Sequence, residues 1–174
     1  AKVRVKDGAR VELVGDMERP GDLHINALND IYARDKAKLD SGGAIAVARA
    51  ESLIDASAVN SQIQIDDPTI RSIGDIDFGA RTVADIEADA NAKTYGLAGA
   101  AQGNSLARVN GGNSILLTDG AALFTWGDTT MSVGRNTAGE LSDIHAKANT
   151  DLWNKTAFPV QTKPDAHGEI VQSN

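Results

Sequence analysis

The sequence contains no cysteine, which removes disulfides, thiolate metal sites and cysteine nucleophiles. Aromatic residues are scarce: they make up 4% of the 174 residues, while 41% are hydrophobic. A compact globular core usually closes on several aromatic side chains, because each buries a large area. Apolar content made mostly of Ala, Val, Ile and Leu, with 17 Gly, suits a narrow, layered interior instead. Positive charge is also outweighed, 17 Lys and Arg against 24 Asp and Glu, a formal net charge of −7. An acidic surface repels phosphate backbones, so nucleic acid is not an expected partner. There is no basic run to mark an anionic membrane patch. No long apolar run or signal peptide is seen, and membrane insertion is not expected.

What the sequence does contain is a repeat. Gly-Asp pairs stand at Gly21-Asp22, Gly74-Asp75 and Gly127-Asp128, spaced 53 and 53 apart. Sliding residues 21–73 onto 74–126 without gaps gives eleven identities, including Gly43/Gly96, Ser52-Leu53/Ser105-Leu106 and Asn60-Ser61/Asn113-Ser114. Chance gives roughly four at this composition, so the match indicates a degenerate repeat. The units divide as about 1–60, 61–113 and 114–174 of one segment.

Two further features recur with different phase. A strand-like stretch leads to an aspartate turn, with Gly-Asp eight residues later, in VRVKDGARVELVGD (3–16), IQIDDPTIRSIGD (63–75) and LLTDGAALFTWGD (116–128). The turn aspartates are Asp7, Asp66 and Asp119. In the first unit the Gly-Asp is doubled, which reads as a six-residue insertion, Met17–Asp22. The other feature, Asp-Ile-x-Ala, starts at Asp30, Asp85 and Asp143, and its distance from the Gly-Asp aspartate grows from 8 to 10 to 15 residues. The last two copies extend as DIEADANAKTY and DIHAKANTDLW, which puts Tyr95 and Trp153 at equivalent positions. Constant strands joined by loops of variable length are what stacked coils produce.

The local patterns are those of strands. Val3/Val5, Ile63/Ile65 and Ile76/Phe78 alternate with polar residues, and Ile86, Ala88, Ala90 and Ala92 continue that period of two. Only 44–58 has a composition open to helix, and the three Gly in its counterpart, 97–111, argue against one. The expected fold is therefore all-β, a parallel β-solenoid. At about 20–29 residues per coil, each unit suits two coils, roughly six in the chain. Ile63 and Leu116 are expected in one inner row. A parallel ladder pairs backbone groups coil by coil, while inward Val, Ile and Leu stack on like residues above and below. The open ends of such a stack are unpaired strand edges. Val3-Arg4-Val5 already reads as strand and no cap is evident before Asn174, so both ends look cut from something longer. The expected partners are neighbouring coils or identical subunits end to end.

The strand–Asp-Gly-Ala–strand–Gly-Asp pattern resembles the coils of bacterial filamentous-haemagglutinin-type exoproteins. AKTYGLAGAAQGNS (92–105) and NTDLWNKTAFPVQTKPDA (149–166) are similar to segments of very large bacterial filamentous adhesins, the leukotoxin-like group. The resemblance covers most of 60–174 and is weaker over 17–58. It implies a right-handed parallel β-helix in a secreted or cell-surface fibre, with no catalytic motif to carry over.

Candidate sites are sparse. His24, His145 and His167 lie far apart without ligand-spaced partners, which favours a structural role over metal or catalysis. Asp66, Asp67, Asp75 and Asp77 form the densest carboxylate group, and stacked corner aspartates offer oxygen ligands to calcium. The Gly-Gly-x-Gly-x-Asp calcium repeat is missing, and turn chemistry explains these residues more simply. No cofactor is expected. Asp75 and Asp77 share a polar face, as a carbohydrate-active β-helix would require, but nothing separates them from solvated positions. The Gly-rich 96–103 segment lacks phosphate-loop spacing and reads as close packing. Asn154-Lys155-Thr156 is an acceptor sequon of a kind common by chance. Trp126 falls near a coil corner, Tyr95 and Trp153 are expected to stack on each other, and these aromatics with Tyr32 offer sugar contact only if they share a face. The expectation is a non-enzymatic, extracellular structural segment that presents surface for adhesion to host or cell-surface glycans or proteins; the alternative is a carbohydrate-binding or carbohydrate-active β-helix.

Overall fold

A computed structural model describes residues 1–16, 18, 20–160 and 163–173. Met17 and Arg19 of the expected insertion, and Gln161, Thr162 and Asn174, lie outside the described residues. The described chain is all-β without a helix. Its strands are β1 (Lys2–Val5), β2 (Arg10–Glu12), β3 (Leu23–Ile65), β4 (Thr69–Ser72), β5 (Ile76–Leu117), β6 (Ala122–Thr125), β7 (Thr129–Val133), β8 (Asp143–Pro159) and β9 (Pro164–Ser173). A curled six-stranded sheet runs β1-β3-β5-β7, with β8 and β9 also paired to β5, and a small sheet runs β2-β4-β6. Every ladder is parallel. The antiparallel contacts among the described residues are two isolated bridges, at Arg135.

The ladders step by a whole repeat unit. β3 lies on β5 with Leu23 opposite Ile76 and Gly43 opposite Gly96, and β5 carries β8 with Val83 opposite Asp143. The expected two coils per unit, six in all, are not confirmed. Residues 17 to 23 positions apart in one long strand meet through side chains across an interior and not through a ladder. Ile86, Ala88, Ala107 and Val109 share one buried cluster, and the Ser52 hydroxyl donates to the Asp35 carboxylate at 2.8 Å. Each long strand thus has two arms, and the chain reverses between them at Gly43 in β3 and Gly96 in β5. Both glycines have positive φ, +152° and +146°, and a Cβ on Gly96 would overlap the Gly43 carbonyl. A side chain there meets both backbone strain and a steric block.

Period-two alternation directs the packing. Ile76, Phe78, Ile86, Ala88, Ala90 and Ala92 all point inward and are buried. Their counterparts on β3 and β8, such as Ile25, Ile31 and Ile144, are only partly buried, because β5 alone has neighbours on both sides over most of its length. Segment 44–58 is strand within β3. One row differs from expectation: a register shift between Ala56 and Val59 sets Ile115, not Leu116, opposite Ile63. Leu116 therefore pairs with outward Gln64 and is 47% exposed. The third unit's longer gap becomes an excursion over the outer face, where Thr137 exchanges hydrogen bonds with the Asn26 side chain. Its backbone lies so close to Gly79 that a Cβ there would meet Asn136.

Candidate functional site

The small sheet carries the most distinctive outer surface. Val11, Ile70 and Leu123 turn inward to the core, so alternate residues point out. The register sets Glu12, Arg71 and Phe124 in one column, with the Arg71 guanidinium 5.0 Å from the Phe124 ring centroid. Val14, Ile73 and Trp126 follow two residues on. These six residues line a shallow groove of about 680 Å³, in which Trp126 is 77% exposed. A bare indole beside a guanidinium and a carboxylate can stack on the apolar face of a sugar ring and hydrogen-bond its hydroxyls. Trp126 is visible in the sequence, but its companions come from other units. Aligning the turn aspartates Asp7, Asp66 and Asp119 already puts Glu12, Arg71 and Phe124 together, and that was the available signal.

The corner aspartates are engaged by the chain itself. Asp22 Oδ1 accepts the Asp75 N–H at 2.9 Å, and Asp75 Oδ1 accepts the Asp128 N–H at 2.8 Å. Each carboxylate thus clasps the layer after its own. Asp77 Oδ2 sits 3.0 Å from His24 Nδ1, so Asp75 and Asp77 have separate engagements. Asp66 accepts Arg4 Nε at 2.5 Å and Gln64 Nε2 at 2.8 Å. The Arg4 hydrogen bond, which outweighs desolvation, holds its carboxyl below the usual range. Asp67 occupies a left-handed turn at φ +43°, its carbonyl accepting Gly8 N–H. Among the described residues, no group of three or more His, Asp or Glu is placed to hold a metal ion.

The two remaining histidines lie beside carboxylates. His145 Nε2 lies 3.0 Å from Asp143, and His167 Nε2 lies 3.8 Å from Glu169. The expected Tyr95–Trp153 stack does not form, because the Asp-Ile-x-Ala alignment is two residues out of register. Trp153 pairs with Lys93, and Tyr95 pairs with Lys155. Lys155 Nζ then stands 4.2 Å, and Lys93 Nζ 5.4 Å, from the Trp153 ring centroid. Tyr32 stacks under Arg34 instead. The Gly-rich segment packs closely, with a Cβ on Gly99 reaching 2.4 Å from the Ala46 carbonyl. The sequon residues brace the same bend: Asn154 Nδ2 donates to Gly99 O, and the Thr156 hydroxyl donates to Asn154 Oδ1.

On the long faces, charges are stacked in columns. Glu87 lies between Arg34 and Lys147, and Arg108 between Asp55 and Glu169. The Lys147 ammonium holds the Glu87 carboxyl below its usual range, and Glu87 in turn raises Lys147. Together these features define a class, an all-β chain of stacked parallel strands with an ion-paired outer surface. No family model, curated protein or solved structure matches the chain.

Proposed function

We propose that the chain is a structural repeat segment of an elongated secreted or cell-surface fibrous protein of the adhesin kind. In this reading it winds as a right-handed parallel β-helix, one repeat unit to a turn, and presents surface instead of catalysing a reaction. The observation that carries it is the parallel register of one whole unit, which lets units stack without limit along one axis. The clasping of corner aspartates by backbone N–H groups also supports it, since those carboxylates serve the stack. Immunogold electron microscopy of the source cells with antibodies to this chain tests the reading. Label along extracellular fibres or the cell surface is expected; label confined to the cell interior overturns it.

The Trp126 groove favours a second reading, carbohydrate binding. A glycan array combined with a polysaccharide-degradation screen separates the two. Binding that Trp126→Ala reduces at least about tenfold supports the sugar reading, and null results in both assays remove it.

A further inference from the structure

The stack exposes two strand edges among the described residues. Over 23–61, β3 has a ladder partner only in β5, and β8 and β9 likewise pair only with β5. Inside the stack, outward charges meet their opposites. Arg34 and Lys147 flank Glu87, while Asp55 and Glu169 flank Arg108 at 3.4 and 2.7 Å. Lys36 faces Asp89, Asp40 faces Lys93, and Glu12 faces Arg71. Asp22, Asp75 and Asp128 stand apart from this pattern: they are like charges, and backbone N–H groups occupy the carboxylates of Asp22 and Asp75.

Because signs alternate through a three-layer column, the two outer layers end up alike. A second copy stacked in register, its first layer on the third layer of another, would set Arg34 on Lys147 and Asp55 on Glu169. It would also set Asp30 on Asp143, Glu51 on Asp165 and Arg49 near Lys163, with Lys38 on Asp151 as the one opposed pair. Like charges directly opposite each other on adjacent strands are destabilising, and each copy also carries a net charge of −7.

We propose that these edges are built to receive a parallel β-coil of the opposite sign pattern and to reject a second copy of this chain. On the β3 edge that coil carries acids over Arg34 and Arg49 and bases over Glu51 and Asp55. On the other edge it carries acids over Lys147 and Lys163 and bases over Asp165 and Glu169. The proposal rests on the stacked-coil reading above and adds to it a rule for which coils lie next to each other.

A charge-swap cycle on the whole chain tests it. Arg49 pairs with Glu51 at 3.7 Å, and the layer between them and Lys163 and Asp165 presents the neutral Gln102 and Asn104, so swapping the signs within each pair creates no internal like pair. The forms are wild type, R49E/E51K, K163E/D165K and the quadruple swap. Self-association is read by sedimentation at low ionic strength and at about 1 M salt, where the screening length falls to about 3 Å. Each double swap is expected to self-associate about tenfold more tightly than wild type at low salt, the quadruple swap returns to wild type, and salt erases the differences. Equal behaviour of all four forms, or tightest association by wild type, overturns the proposal. Arg108→Glu, which puts a third carboxylate between Asp55 and Glu169, checks the underlying reading. If it melts like wild type, stacking itself fails; if it is destabilised while the four forms behave alike, only the edge rule fails.

Discussion

Where the long arms adjoin the small sheet, the interior is filled by Ile63, Ile65, Ile70, Ile76 and Phe78. Toward the bend at Gly43 and Gly96 it is filled by Ala48, Ala50, Ala90, Ala92 and Ala101. The same backbone pairing runs through both regions, so the difference lies in how far apart the facing strands stand. At the first end a third wall, β2-β4-β6, sits between the arms' ends and large side chains fill the added width. At the other end the arms face each other directly, so closely that a Cβ on Gly103 would come within 2.7 Å of Leu152 and Thr150. Side-chain size sets the width of the interior, and interiors pack to nearly constant density.

The largest expected effect comes from emptying the wide end. Phe78 is fully buried, and its ring is the largest buried side chain. Phe78→Ala should cost about 3–5 kcal/mol, read as a lower denaturation midpoint at unchanged slope. A loss under about 1 kcal/mol would mean that the walls collapse onto the gap and that the wide end is not held open by the third sheet.

Filling the narrow end should do the next largest damage, with the opposite change in volume. Ala90 is buried and lies between Ala37 and Thr150 in its column. Ala90→Leu adds three carbons where the arms already touch and should cost about 1–3 kcal/mol. If the leucine were neutral or stabilising, the taper would be only loosely determined, and the alanines would mark nothing about the spacing.

This taper was partly legible. Few aromatics and many alanines indicated a narrow layered interior, and the 53-residue period appears directly in the pairing of Gly43 with Gly96 and Ser52-Leu53 with Ser105-Leu106. The number of layers was not legible, because the alternation of inward and outward residues says nothing about how far a wall extends before the chain turns. Register was legible only in steps of two. The Asp-Ile-x-Ala motif slips by two residues, Asp30 pairing with Val83 and Asp85 with His145, and such a slip keeps every side chain on its own face. The single-residue shift between Ala56 and Val59 exchanges faces, and it misplaced Leu116 and the Asn60-Ser61/Asn113-Ser114 match. The Trp126 groove stayed hidden because its walls come from three units.

The smallest expected effect compares the outer faces. Both the Asp66 corner beside the wide end and the Glu87 column farther along carry carboxylates held below their usual range. Each therefore contributes stability that is present above the unfolded-state pKa and is lost as pH falls through the lower folded-state value. Lys147, raised by Glu87, contributes stability that is complete below its unfolded-state pKa and is lost as pH rises through the folded one. Glu87→Gln removes the shared carboxylate, so it should flatten both the acid and the alkaline limbs of the melting profile. Asp66→Asn should flatten only the acid limb, because Asp66 has its main partner in Arg4, which stays charged throughout. Melting temperatures of the three proteins across pH, at low and high salt, separate these outcomes. If Glu87→Gln leaves the alkaline limb unchanged, Lys147 and Glu87 are neighbours by register alone, and the ion columns contribute nothing to how the layers hold together.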